Sequence, residues 1–156
     1  MVSIRLPDGS KKSFSSSING NELAKSISSS LSKSAIAVSI NGELKDLHCK
    51  MNKDCDAEII TKDSDSGIEI LRHDAAHVMA EAVKSLFPDV QITIGPPIEN
   101  GFYYDFSKKE PFSPDDLIKI EKKMLEIINK NEPFKREVWD SKKAINYFKD
   151  QGEIYK

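Results

Sequence analysis

The sequence predicts an α+β fold in two parts, a small strand-rich unit over residues 1–62 and a helix-led α+β unit over residues 63–156. Two kinds of periodicity and a break between them predict it. Short runs alternating apolar and polar residues, divided by turn-forming residues, fill the first part, whereas apolar residues recurring every three or four positions dominate the second. Between them Lys62-Asp-Ser-Asp-Ser-Gly67 is polar and lacks large apolar side chains, as a linker does.

Val2 to Leu6 alternates like a strand, Pro7-Asp8-Gly9-Ser10 supplies a turn, and Lys11 to Phe14 returns as the second arm of a hairpin. From Asn21 the chain reads as a helix with Leu23, Ile27 and Leu31 on one stripe, in spite of several serines that weaken helices. Ala35 to Ile40 is a strand, Asn41-Gly42 is a strong hairpin signal, and Ala57 to Thr61 is a last strand. The order ββαβββ is that of a β-grasp.

After the break, Gly67 to Leu86 is a helix. At about 100° per residue, Ile68, Leu71, Ala75, Val78, Met79, Ala82, Val83 and Leu86 share one stripe, and His73, His77 and Lys84 project to the other side. Val90 to Ile94 reads as a strand, Gly95-Pro96-Pro97 as a rigid turn and Gly101 to Phe106 as an aromatic strand. Ser113 is an N-cap, followed by Pro114 at the first helical position and Asp115 and Asp116 in the first turn of a helix reaching about Asn131. Its expected buried stripe is Leu117, Ile120, Met124, Ile127 and Ile128. Phe134 to Val138 reads as a strand and Ser141 to Asp150 as a short helix.

A composition of 38% hydrophobic and 31% charged residues is that of a globular domain or two. The opening residues lack a basic leader followed by an apolar stretch, and no segment approaches the roughly 20 apolar residues that span a bilayer, which speaks against export and membrane insertion. Cys49 and Cys55 stand alone, without zinc-knuckle spacing or a disulfide framework, so a cytoplasmic, reduced chain with no metal is expected. Net charge is −2, unevenly spread: residues 63 to 106 hold two Lys and Arg against eight Asp and Glu, between mildly basic flanks. An acidic pocket that attracts a cationic group, with flanks that touch phosphates, is one reading of this pattern; a solvated surface is the other.

Imidazoles at positions i and i+4 reach one point, and the residue type titrates near neutrality, so His73 and His77 suit either a metal or proton transfer. His73-Asp74-Ala-Ala-His77 differs from the zinc-protease helix motif His-Glu-x-x-His in its shorter acid, and no third ligand is evident. Ile70 and Ala80 beside the histidines are reasonable walls for a cleft.

Five blocks in order, Leu6-Pro-Asp-Gly-Ser10, Val38-Ser-Ile-Asn-Gly-Glu-Leu44, Ile68-Glu-Ile-Leu-Arg-His-Asp-Ala-Ala-His77, Ile94-Gly-Pro-Pro-Ile-Glu-Asn-Gly-Phe-Tyr-Tyr-Asp105 and Gly152-Glu-Ile-Tyr-Lys156, resemble the N-terminal region of bacterial-type threonyl-tRNA synthetases. The resemblance implies a TGS domain, a ubiquitin-like module, at residues 1–62. It also implies that residues 63–156 are the first, incomplete part of an editing domain that hydrolyses mischarged seryl-tRNA. By family motif His73 and His77 match the editing histidines and Lys156 a lysine of the same pocket, all catalytic, with Gly95 and Tyr104 lining the serine site. The family's downstream Cys-x-x-x-His element has no counterpart here. ATP and zinc are implied only for an aminoacylation core absent from this chain, so no cofactor is expected in it. The partner implied is tRNA, with a homodimer formed through the missing regions and no DNA or membrane. A non-catalytic module docking RNA or protein is the alternative, and a free-standing zinc hydrolase a third.

Overall fold

The computed structural model describes residues 1–133, 137–153 and Tyr155. The chain divides into two compact units, Met1–Leu71 and Arg72–Lys156.

In the first unit, β1 (Val2–Arg5) and β2 (Lys11–Phe14) form the expected antiparallel hairpin, with Val2 opposite Phe14. Next come β3 (Ile18–Asn19), α1 (Gly20–Ile27), α2 (Ser29–Ser34), β4 (Ala35–Ile40), β5 (Glu43–Lys45), β6 (Lys50–Met51) and β7 (Cys55–Thr61). Five strands make one sheet in the order β2-β1-β7-β4-β5, in which β1 and β7 run parallel and the other neighbours antiparallel. This is the β-grasp arrangement, with the first and last strands side by side at the centre. The β4–β5 hairpin turns at Asn41 (φ 52°) and Gly42 (φ 84°), the positive φ pair that an Asn-Gly hairpin uses. The short pair β3 and β6, Ile18 opposite Met51, was not foreseen, because two-residue strands carry no alternation to read.

Leu23 of α1 is fully buried among Val2, Ile4, Ile18, Val38, Met51 and Ala57. The single helix expected from Asn21 is in fact two. Ser28 sits in extended conformation, donates its N–H to Ala24 at the end of α1, and accepts from Leu31 N–H with its hydroxyl to start α2. A serine competes for backbone hydrogen bonds and so favours a cap over a helix interior. Ile27, expected on the buried stripe, is consequently 37% exposed.

The expected linker is shorter than Lys62–Gly67, because α3 (Asp65–Leu86) starts within it. Ser64 bonds the Thr61 carbonyl through both its N–H and its hydroxyl, and that hydroxyl accepts from Gly67 N–H at 3.2 Å. A Cβ at Gly67 would collide with the Thr61 carbonyl, so the glycine is a packing requirement of the helix start.

In the second unit the second half of α3 packs with α4 (Pro114–Lys130) around Ala82, Val83, Val90 and Ile120, with Phe87, Phe106, Phe112, Met124 and Ile127 beside them. The segment expected as two strands around a turn is one interrupted ribbon. Its outer rung pairs β8 (Gln91–Ile92) with β11 (Phe106–Ser107), and its inner rung pairs β9 (Pro97–Ile98) with β10 (Gly101–Phe102). Pro96 has no N–H to donate, and the two rungs are separate between Ile92–Phe106 and Pro97–Phe102. Helix α4 has the expected cap, a reciprocal box between Ser113 and Asp116 with Pro114 in the first turn, and ends at Asn131 with φ 50°. Its stripe is only partly covered: Ile120 is buried, whereas Leu117 is 59% and Ile128 56% exposed. The final helix α5 (Ser141–Asp150) is capped by Asp140. Of the strand expected at Phe134 to Val138, residues 134–136 lie outside the described residues, and Glu137 and Val138 are not in a strand.

Candidate functional site

Helix geometry brings His73 and His77 together. Their rings stack at a centroid distance of 4.8 Å and an interplanar angle of 15°, and both residues are exposed. The side of α3 that carries them is not bare surface, since Ala76 is 1% and Ala80 6% exposed. Burial therefore departs from the expected apolar stripe at the start of the helix, where Ile68 and Leu71 are 37% and 44% exposed. Alanines let other chain segments approach closely, so they are covered where larger side chains on another side are not.

A cleft of about 400 Å³ opens beside His77, lined also by Val78, Glu81, Ile127, Ile128, Asn131 and Glu132. Its walls are the histidine helix and the C-terminal end of α4. Glu81 lies one turn beyond His77 and places a carboxylate in the cleft, a suitable neighbour for a cationic group. Glu81 and the end of α4 were missed in the sequence. The i+4 spacing from His77 was the available signal for Glu81, whereas nothing local shows where a distant helix ends.

Gly95 and Tyr104 form a second pair, across the ribbon. A Cβ at residue 95 would fall within the Tyr104 ring, so only glycine admits the ring at this depth. The Tyr104 ring also stacks on Phe106 at 4.8 Å and 18°. Burial pushes the Tyr104 phenol above its usual range, and a phenol can donate a hydrogen bond. Neither residue lines the cleft beside His77. Lys156 lies outside the described residues.

Among the described residues no group of three or more His, Cys, Asp or Glu is placed to hold a metal ion, and the two histidines offer two ligands. No helix among them is long and apolar enough to cross a membrane.

Residues 2–61 match the TGS domain family. The whole chain is 56% identical to a threonine-tRNA ligase of Pelagibacter ubique, 53% to one of Rickettsia akari and 51% to one of Parvibaculum lavamentivorans. Each alignment covers 100% of this chain. The chain corresponds to the N-terminal region of threonine-tRNA ligases. It spans about a quarter of these relatives' length, 24% of the Pelagibacter ligase and 25% of the Rickettsia ligase. Threonine-tRNA ligases are aminoacyl-tRNA synthetases, and the β-grasp unit is the TGS domain of this N-terminal region.

Proposed function

We propose that residues 63–156 are the first part of a hydrolytic editing domain and that His73 and His77 serve the cleavage of seryl-tRNA made in error. The observation that carries this reading is the pair of stacked imidazoles, of which His77 lines a cleft of apolar and acidic residues, in a chain 51–56% identical to threonine-tRNA ligases of three bacteria. The need for such a site is physical. Serine is threonine less a methyl group, and a missing group of that size is worth only about 1–3 kcal/mol of discrimination, so a synthetic pocket shaped for threonine admits some serine.

In the reaction, His73 holds a water and takes its proton as the oxygen attacks the ester carbonyl, while His77 orients the water or relays the proton. The bond between the carbonyl carbon and the terminal ribose oxygen breaks, and the proton passes to that oxygen. Free serine and intact tRNA are the products. Lys156 stabilises charge on the carbonyl oxygen or holds a backbone phosphate. The Tyr104 phenol donates to the serine hydroxyl, and Gly95, whose missing side chain seats the Tyr104 ring, sets the depth of the serine pocket. The carboxylate of Glu81 favours the ammonium of the esterified serine.

The TGS domain at residues 1–62 makes contacts of its own with tRNA or a protein. Charging of tRNA with threonine belongs to regions of the relatives that this chain does not span, together with the ATP and zinc it uses and the contacts of a homodimer. The setting is the cytoplasm, without DNA or a membrane as partner.

A docking module is the second reading, favoured by the surface around α5. There Lys143 lies 4.0 Å from the Trp139 ring centroid, and Tyr147 and Phe148 are 47% and 37% exposed, a combination of cations and aromatic faces that nucleic acid bases stack on. One experiment separates the two. Deacylation of seryl-tRNA and threonyl-tRNA is measured for this chain and for a chimera joining it to the remainder of the Pelagibacter ligase. Editing requires that the chimera clear seryl-tRNA, spare threonyl-tRNA and lose about 10²–10⁴-fold in rate on His73→Ala with tRNA binding intact. A folded chimera that spares both substrates leaves docking as the function.

A further inference from the structure

We propose that Lys84 and Glu153 are a positioning pair that clamps the segment after α5 onto the histidine helix, a role that rests on the editing reading above. Lys84 lies eleven residues after His73, which returns it to within about 20° of the same line along α3. Its ammonium meets Glu153 Oε1 at 2.6 Å and donates to the Val90 carbonyl at 3.0 Å. One side chain thus ties the helix to the start of the ribbon and to the chain that leaves α5.

The position of Glu153 is fixed from its own side as well. Gly152, at φ 71°, closes α5 with its N–H on Lys149, and Glu153 N–H reaches back to Phe148, the two bonds of a glycine-terminated helix end. The Glu153 side chain is 11% exposed, and its second oxygen, Oε2, is buried with no hydrogen-bond partner among the described residues. A carboxylate buried with one oxygen unsatisfied is a poor device for stability, because desolvation opposes the Coulomb gain. What such a pair does well is fix register.

Distance gives the register its meaning. His77 precedes Lys84 by seven residues, roughly 10 Å of helix rise. A chain held at Glu153 is held within one short segment of the histidine pair. Lys84 and Glu153 touch no substrate in this scheme and act through the segment they hold.

The test uses two readouts on Glu153→Gln, Lys84→Met and the double variant. In the 156-residue chain, backbone amide exchange at Gly152, Glu153 and Tyr155 is expected to rise at least tenfold while the amides of α3 keep their protection. In the Pelagibacter chimera, kcat for seryl-tRNA hydrolysis is expected to fall at least tenfold with KM and threonylation within twofold. The double variant is expected to lose no more than the worse single, because the pair acts as one unit. Exchange that does not change overturns the clamp, whatever the activity. An active chimera whose kcat is untouched, or falls only in step with thermal stability, overturns the positioning role. A parent chimera that does not hydrolyse seryl-tRNA overturns the editing reading and the role together, and loosened amides in that case still leave the clamp as a structural device.

Discussion

At Gly95 a missing side chain decides where an aromatic ring lies. Because a Cβ there would occupy the Tyr104 ring, Gly95→Ala must push the ring out or shift the ribbon. Overpacking of this kind costs about 1–3 kcal/mol, and urea denaturation followed by circular dichroism should show a loss in that range. The alanine variant of the chimera should also clear seryl-tRNA more slowly. A stability unchanged by the added methyl would contradict the packing described. Asp116 supports a second prediction. Ser113 backbone N–H donates to its carboxylate at 3.0 Å, the Ser113 hydroxyl adds to this, and both hold the group below the ordinary aspartate value of 3.8, with Lys119 at 3.5 Å helping. A carboxyl depressed in the folded state binds fewer protons than the unfolded chain does in that window. Its stabilisation is therefore complete above 3.8 and is lost as pH falls through the lower folded value. Acid titration of helicity from pH 7 to 2.5 should show Asp116→Asn less stable at neutral pH, converging with the parent at the acid end.

Among the elements, capping explains where the sequence pattern and the structure part. Leu23, Ile27 and Leu31 satisfy a helical stripe, yet Ser28 ends one helix and begins the next. Leu23 is 0% and Ile27 37% exposed, so Leu23→Ala should cost about 2–5 kcal/mol and Ile27→Ala distinctly less. Equal losses would mean that the stripe, and not the break, governs packing. The start of helix α4 was legible because Ser113, Pro114, Asp115 and Asp116 are a local signal whose partners lie within one turn. The ribbon was not. Its rungs join Gln91 to Ser107 and Pro97 to Phe102, pairings fixed by hydrogen bonds across the chain that alternation within one strand cannot register. For the same reason the start of α3 was misplaced, since Ser64 and Gly67 read as linker until the Thr61 carbonyl is seen between them.

For the whole molecule, the balance between covered and uncovered apolar surface is informative. Leu117, Ile118, Leu125 and Ile128 of α4 are 56–66% exposed on one side of the helix, around Glu121, in a chain that spans a quarter of its relatives' length. Such a face binds hydrophobic dye. The isolated chain should enhance dye fluorescence several-fold more than the Pelagibacter chimera at equal molarity; equal signals would mean that the remainder of the ligase leaves this face open. The sequence by itself determined the β-grasp order, the capped helix α4 and the convergence of His73 with His77, because turn chemistry, caps and i+4 neighbours depend on residues a few positions apart. Tertiary structure alone decided that Ala76 and Ala80 are covered, that Tyr104 lies on Gly95, that α4 supplies the far wall of the His77 cleft, and that Lys84 meets Glu153. Those contacts join residues between nine and nearly seventy positions apart, and their energies come from burial and desolvation that no local window of sequence contains.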